Sequence, residues 1–230
     1  MTPLDKDIVQ KVIDVVKVGG LVAGMGEPSP GYMCVEAAVC YAYGLPHSDE
    51  PPCVGRAVRS LKIKANDSDW SNNIARSNGM IRLAVAQLGS VEIDQVEFSK
   101  AVAEMTIRKI LPIALRSAGL NAEADRCEAE GTYEAAQDAA YNAYAADYAA
   151  IAAYYAADAA ACAAARAAAR AADYAAFAAR DAAFAARDAA GYDSYDTDKI
   201  LALFCEEVVQ ILIQMKSPGC EYLYLIEESK

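Results

Sequence analysis

The sequence predicts an all-α protein, a multi-helix bundle with one very long alanine-rich helix. More than half of residues 133–190 are alanine, and this stretch contains neither proline nor glycine. Alanine has the highest helix propensity because it loses no side-chain entropy in a helix. Elsewhere, apolar residues recur three and four positions apart, which is typical of amphipathic helices, and no series of alternating strands and helices is visible.

The N-terminal part of the chain, residues 1–130, is predicted to be a helical domain with a proline-rich loop at 45–54. Its helices are separated by glycine, proline and short polar turns. We predict that they run from a Thr2 cap and Pro3 to Gly19–Gly20, from Cys34 to Tyr43, from Val54 to Ala65, from a Ser71 cap to Leu88, from Asp94 to Ala118 with a kink at Pro112, and from Ala122 to Glu130.

The C-terminal part, residues 131–230, is predicted to hold the alanine-rich helix and a helix that packs back on the body. A continuous helix over 133–190 would span roughly 85 Å, so we expect it to project from the body or to span it. Thr197 is expected to cap the last amphipathic helix, which runs to about Lys216. From Cys220 to Glu227, the side chains of Tyr222, Tyr224 and Ile226 alternate with those of Leu223 and Leu225, which suggests an extended tail.

Large side chains in the alanine tract recur with spacings of three, four, three and four, which predicts a seam like that of a coiled coil. An exposed apolar seam is an association surface, so we expect a homodimer through this helix. Packing of the seam against the body of the same chain is the alternative. The seam residues are Tyr141, Tyr144, Tyr148, Ile151 and Tyr155.

Composition excludes several classes of function. The net charge is −11 and the isoelectric point is about 4.6. No long basic stripe is present to bind phosphates, so nucleic acid is not expected as a partner. Charged residues such as Asp147, Asp158 and Arg166 interrupt the alanine tract, which argues against a membrane span. The seven cysteines and the absence of a signal peptide predict a cytoplasmic protein with reduced thiols.

Residues 31–70 contain the chain's only histidine and only tryptophan, together with several acids. Polar groups and a stacking ring in one segment favour a pocket for a small ligand. A proline-packed loop with turn hydrogen bonds is the structural alternative. The candidate ligand-binding residues are His47, Asp49, Arg56, Asn66, Asp67 and Trp70.

Two other kinds of site are weaker alternatives in the same segment. Cys34, His47 and Cys53 are candidate zinc ligands, but they lack the CxxC or HxxxH spacing of known zinc sites. Cys53, His47 and Asp49 are candidates for a thiol–imidazole nucleophile. We assign no catalytic residue, no metal site and no cofactor from the sequence.

The segment GYMCVEAAVCYAYGLPHSDEPPCV, followed by KIKANDSDW and an alanine-rich tract, resembles a set of uncharacterised bacterial and phage proteins. These proteins share MCV, GxPHSDxPxCV and ND elements and alanine tracts of variable length. The tract is also similar in composition to alanine-rich immunity proteins of bacterial toxin systems. The resemblance implies a bacterial or phage origin and a role in biological conflict, and it transfers no catalytic residue.

These observations predict a non-enzymatic binding or sequestering protein of the immunity or anti-defence type, acting on an unknown partner or ligand. One alternative is a small-ligand sponge for a nucleotide-type signal, with its pocket in the His47–Trp70 segment. The other alternative is a metal-dependent hydrolase or deaminase.

Overall fold

The computed structural model describes residues 3–145, 155, 159–160 and 194–228. Within these residues the regular structure is helical, and an isolated antiparallel bridge between Gly26 and Met33 is the only β-type pairing. The predicted all-α class is therefore confirmed. The α-helices are α1 (Lys6–Lys17), α2 (Val35–Ala42), α3 (Arg56–Asn66), α4 (Asn73–Ala86), α5 (Gln95–Met105), α6 (Leu111–Ser117), α7 (Asn121–Glu130), α8 (Tyr133–Ala145), α9 (Ser194–Gln214) and α10 (Tyr224–Glu228).

Short polar side chains begin several of these helices by accepting hydrogen bonds from backbone amides that have no partner inside the helix. Asp5 caps α1 through the amide of Ile8 at 2.9 Å, so the start predicted at Pro3 is three residues too early. Asn72, rather than the predicted Ser71, accepts the amide hydrogen bonds at the start of α4. Asp94 caps α5 as predicted.

The helix predicted from Asp94 to Ala118 is interrupted by a π-helical turn at Thr106–Ile110, which separates α5 from α6. Pro112 is the second residue of α6, just after this turn. A proline removes one backbone donor and its ring crowds the preceding turn, and π-turns are a common way to accommodate such a break. Gly119, with φ of +78°, lies at the end of α6.

The extended tail predicted for residues 220–227 is wrong, because Pro218–Tyr222 forms a 3-10 turn and α10 follows it. Backbone contacts to the end of α4 hold this turn in place. The amide of Gly219 donates to the carbonyl of Leu88 at 2.7 Å, and the hydroxyl of Ser217 donates to the carbonyl of Ala86 at 2.7 Å. A short apolar run does not distinguish a strand from a buried helix, and here tertiary contacts select the helix.

Helix α9 begins before Thr197, so this residue lies inside the helix and is buried rather than capping it. With 21 residues, α9 is the longest helix in the described part of the chain. The single very long alanine-rich helix is not shown: α8 covers its first residues, and most of the predicted helix lies outside the described residues. No described helix combines the length and apolar character needed to cross a bilayer.

Helix α4 lies at the centre of the packing and contacts α1, α2 and α9. The helix that follows the alanine tract therefore packs on the N-terminal helices, and both parts contribute to one apolar core. Large side chains such as Phe98, Leu83 and Phe204 are fully buried there. Each such side chain stabilises the fold by roughly 1.5–3 kcal/mol through removal of apolar surface from water.

Candidate ligand pocket

The loop between α1 and α2, residues 18–34, folds over the C-terminal end of α3. Asn66 holds it there, because its side-chain amide donates to the carbonyl of Val22 at 2.8 Å. The next residue, Asp67, accepts a hydrogen bond from the amide of Gly24 at 2.7 Å and another from the Asn66 amide at 2.9 Å. The end of α3 is thus a docking point for the loop.

Helix α4 holds the start of the same loop. The Arg76 guanidinium donates to the carbonyls of Leu21 at 3.1 Å and Asn66 at 2.7 Å, and the Ser77 hydroxyl accepts from the Leu21 amide at 2.7 Å. Burial lowers the pKa of Arg76, whereas nearby acids including Asp67 raise it, and the guanidinium stays charged. These contacts join the loop, α3 and α4 into one unit.

A cavity of about 110 Å³ lies between this loop and helices α2 and α3. Three carboxylates, one amide and one thiol supply its polar wall. Apolar atoms and backbone supply the rest. The lining residues are Glu36, Asp49, Asp67, Asn66 and Cys34, with Gly24, Met25, Val35 and Ile63.

At the cavity wall, Glu36 on α2 faces Lys62 on α3, which is not a lining residue. Oε2 of Glu36 and Nζ of Lys62 lie 2.8 Å apart, and both side chains are fully buried, with 0% exposure. The contact is close but does not have hydrogen-bond geometry, and Glu36 Oε1 has no hydrogen-bond partner among the described residues. The pair therefore compensates charge without satisfying all of its polar atoms.

Burial dominates the protonation of this pair because removal from water disfavours the charged form of each group. It raises the pKa of Glu36, while the charges of Lys62 and Arg59 oppose that shift and Asp49 adds to it. Burial also lowers the pKa of Lys62, against the opposing charge of Glu36. Removing either partner would leave the other as an uncompensated buried group.

Buried thiols surround the pair. Burial raises the pKa of Cys34 and Cys53, and it raises the pKa of Cys40 to about 11. Such thiols are protonated at neutral pH, which makes them poor nucleophiles. In addition, the Nε2 atom of His47 contacts the carbonyl of Gly26 at 3.1 Å, across the loop.

Within the described residues, no three His, Cys, Asp or Glu side chains gather in a group that could hold a metal ion. Cys34 lines the cavity, but His47 and Cys53 do not. The zinc ligands considered from the sequence are therefore not brought together as one donor set.

The structure brings together only part of the predicted ligand-binding set. Asp49, Asn66 and Asp67 line one cavity, while His47 contacts the rim of the loop. Arg56 is exposed in the first turn of α3 and is not part of the lining.

Trp70 belongs to the core instead of the cavity wall. Its side chain is only 7% exposed, and its indole N–H donates to the carbonyl of Ala65 at 2.8 Å. The ring packs so closely on Gly79 that a methyl group there would lie 2.3 Å from a ring atom. The predicted stacking role for this ring is replaced by a packing role.

Sequence reasoning did not identify Glu36 and Lys62 as site residues, although a signal was present. Glu36 is the only Asp, Glu, Lys or Arg between residues 31 and 48. Lys62 occupies a position in the apolar stripe of α3, beside Leu61 and Val58, where an exposed lysine would not be expected. An acid alone on an apolar helix and a lysine within the apolar stripe of another helix are candidates for a buried pair.

Comparison of the chain with known protein families, with curated protein sequences and with solved structures finds no match. The resemblance of the PHSDEPPCV segment to uncharacterised bacterial and phage proteins therefore stays a prediction.

Proposed function

We propose that this chain is a non-enzymatic binding protein that holds a small polar ligand in the cavity under the 18–34 loop. The observation that carries the proposal is the carboxylate of Glu36, which is fully buried, lines the cavity and leaves Oε1 without a hydrogen-bond partner among the described residues. The large majority of buried side-chain polar atoms in proteins have a hydrogen-bond partner. A ligand or trapped water in the cavity supplies the missing donor.

The cavity volume supports a small ligand. Its 110 Å³ compares with roughly 150 Å³ for an engineered cavity that accepts benzene, so it has room for only a few heavy atoms. A complete nucleotide is larger than this space. The nucleotide-type signal considered from the sequence would therefore enter with only part of its structure.

Binding without catalysis is supported by the chemistry of the side chains around the cavity. The nearby thiols have raised pKa values, and His47 is directed at a backbone carbonyl. A ligand held among fixed carboxylates can be sequestered, and this is consistent with the predicted immunity or anti-defence role. That role, its protein partner and the cytoplasmic location stay predictions.

A cavity-filling variant tests the proposal. Ile63 lines the cavity, so Ile63→Phe should obstruct it, whereas Ile74→Phe, at an exposed position on α4, adds the same bulk elsewhere. The full chain is screened by thermal shift and calorimetry against anionic, neutral and cationic compounds of up to about six heavy atoms, the size of benzene. At a concentration of 100 times Kd, a ligand should stabilise the protein by about 2.7 kcal/mol.

We expect binding to be lost in Ile63→Phe and retained in Ile74→Phe. If no compound binds, or if Ile63→Phe binds as the unchanged chain does, the cavity is not a ligand site.

The predicted homodimer is a separate proposal. Tyr141 and Tyr155, at the two ends of the seam, are 73% and 55% exposed. The side chains of Tyr144, Tyr148 and Ile151 lie outside the described residues. Light scattering should give twice the chain mass, and Tyr141→Ser should weaken the association. A monomer at high micromolar concentration would contradict it.

A further inference from the structure

We propose that the ligand of this cavity is a compact organic cation that carries a primary ammonium or guanidinium group. This inference rests on the proposed function and names its ligand class. Three of the lining residues are carboxylates, Glu36, Asp49 and Asp67, and no lysine or arginine is among the lining residues. Cations are the ligands that such a wall attracts, because each carboxylate offers acceptors and negative charge.

The three carboxylates differ in how they are held. One oxygen of Glu36 is directed to Lys62 and the other is without a partner in the described part of the chain. Asp67 is fixed because one of its oxygens accepts hydrogen bonds from the Gly24 amide and the Asn66 side chain. The cavity therefore offers acceptors that are already positioned, so a ligand loses less entropy on binding.

Asp49 is half-buried and makes no hydrogen bond or ion pair with the residues that the structure describes, yet its charge reaches Glu36 and raises the pKa of that carboxyl. Two like charges that line one cavity repel, and a cation bound to both removes the repulsion. Asp49 is thus the second anchor for a positively charged group.

The basic residues near the cavity balance only part of its charge. Lys62 compensates Glu36, Arg59 forms a 2.8 Å ion pair with Glu50, and the charge of Asp67 acts on Arg76. Asp49 is not compensated by these contacts. A monocation beside Asp49 would therefore bring the charges around the cavity close to balance.

An organic cation fits better than a metal ion. Glu36, Asp49, Asp67 and Cys34 all line the cavity, but no three of the described His, Cys, Asp or Glu side chains converge as a metal site. A metal ion needs donors at roughly 2.0–2.6 Å from one point. An ammonium or guanidinium group distributes several N–H donors over a larger region, and a short alkyl stem can lie against Met25 and Ile63.

The test compares methylguanidinium with N-methylurea, which has nearly the same shape but no charge, by calorimetry on the full chain. The protein's net charge of −11 attracts any cation weakly, so the measurements are made at about 0.15 M salt, where exposed charges are screened. Methylguanidinium should bind with one site per chain. N-methylurea should bind at least about tenfold more weakly, since hydrogen bonds to charged groups contribute roughly 1.5–3 kcal/mol.

Charge-removing variants locate the site. Glu36→Gln and Asp49→Asn should each weaken methylguanidinium binding by about tenfold, the loss of one charged hydrogen bond. Glu134→Gln removes the same charge from an exposed position on α8 and should bind within about twofold of the unchanged chain. Asp49→Asn keeps the test decisive if Glu36→Gln fails to fold, because Asp49 is half-buried and has no structural partner in the described residues.

Equal or tighter binding of N-methylurea would overturn the inference. Equal effects of Asp49→Asn and Glu134→Gln would also overturn it, because they would show general attraction of cations to an acidic surface. If neutral or anionic compounds bind in a manner that Ile63→Phe abolishes, while cations do not bind, the proposed function stands and the ligand class is wrong. If no compound of any charge binds, the proposed function itself fails.

Discussion

Replacement of Lys62 by methionine tests the buried pair directly. Lys62 and Glu36 are both 0% exposed, so the substitution leaves a carboxylate in the interior without its cation. Removal of one partner from a buried ion pair typically lowers stability by about 3–5 kcal/mol. In a protein of 150–250 residues, each kcal/mol lowers Tm by about 2–4 °C, so we expect a fall of roughly 6–20 °C at neutral pH.

The loss should depend on pH. Burial already raises the pKa of Glu36 above its ordinary value of 4.5, and Lys62 opposes that shift. Without Lys62 the pKa rises further, so the folded carboxyl keeps its proton while the unfolded carboxyl releases it. A carboxyl group whose pKa is higher in the folded state than in the unfolded state stabilises the fold at pH values below its unfolded-state pKa. This stabilisation is lost as the pH rises through the folded-state pKa. Lys62→Met should therefore be relatively more stable near pH 4.5 than at pH 7.

Two further variants serve as controls for chemical denaturation measured from pH 4 to 8. Lys100→Met makes the same substitution in a surface pair with Glu97, whose side chains are 37% and 60% exposed, and it should change stability by less than about 1 kcal/mol. The double variant Glu36→Leu with Lys62→Met removes both charges and should lie within about 2 kcal/mol of the unchanged chain. A loss in Lys62→Met no greater than in Lys100→Met would refute the buried pair.

Three other substitutions test local features of the fold. Trp70→Ala should lower the free energy of unfolding by about 3–5 kcal/mol in urea denaturation, as for a core aromatic; a loss below about 1 kcal/mol would contradict its packing role. Gly26→Ala should destabilise more than Gly24→Ala, because both have positive φ but only Gly26 would place a methyl group near backbone, 2.0 Å from the carbonyl oxygen of Tyr32. Equal changes in Tm would show that the loop tolerates the contact. Asp94→Ala removes a helix cap and should lower stability by about 1 kcal/mol in the same assay, whereas Asp94→Asn should retain most of it.

Local signals predicted most of the N-terminal helices well. Asp94 caps the start of α5 as predicted. A short acidic side chain before an apolar run can cap a helix regardless of where that helix packs in the fold. The tail after Pro218 was mispredicted because its conformation depends on docking to the end of α4. No pattern within residues 220–227 indicates that this segment contacts the end of α4.

The cavity contains part of the set of ligand-binding residues expected from the sequence. Asp49, Asn66 and Asp67 were identified because polar residues clustered in an otherwise apolar segment, and the structure places all three at one cavity. Trp70 packs on Gly79 in the core. Sequence alone does not distinguish an exposed stacking ring from a buried one. Glu36 is one of the acids of this segment, but its contact with Lys62 depends on how α2 and α3 pack.

The sequence by itself determined the helical class of this protein, because alanine content, three-and-four spacing and capping residues act over a few positions of the chain. Only the tertiary structure decided that Glu36 on α2 meets Lys62 on α3, and that the 18–34 loop encloses a cavity lined by Glu36. The physical reason is the range of the forces. Helix formation depends on neighbours along the chain, whereas the charge state and exposure of a side chain depend on helices that are distant in sequence and close in space.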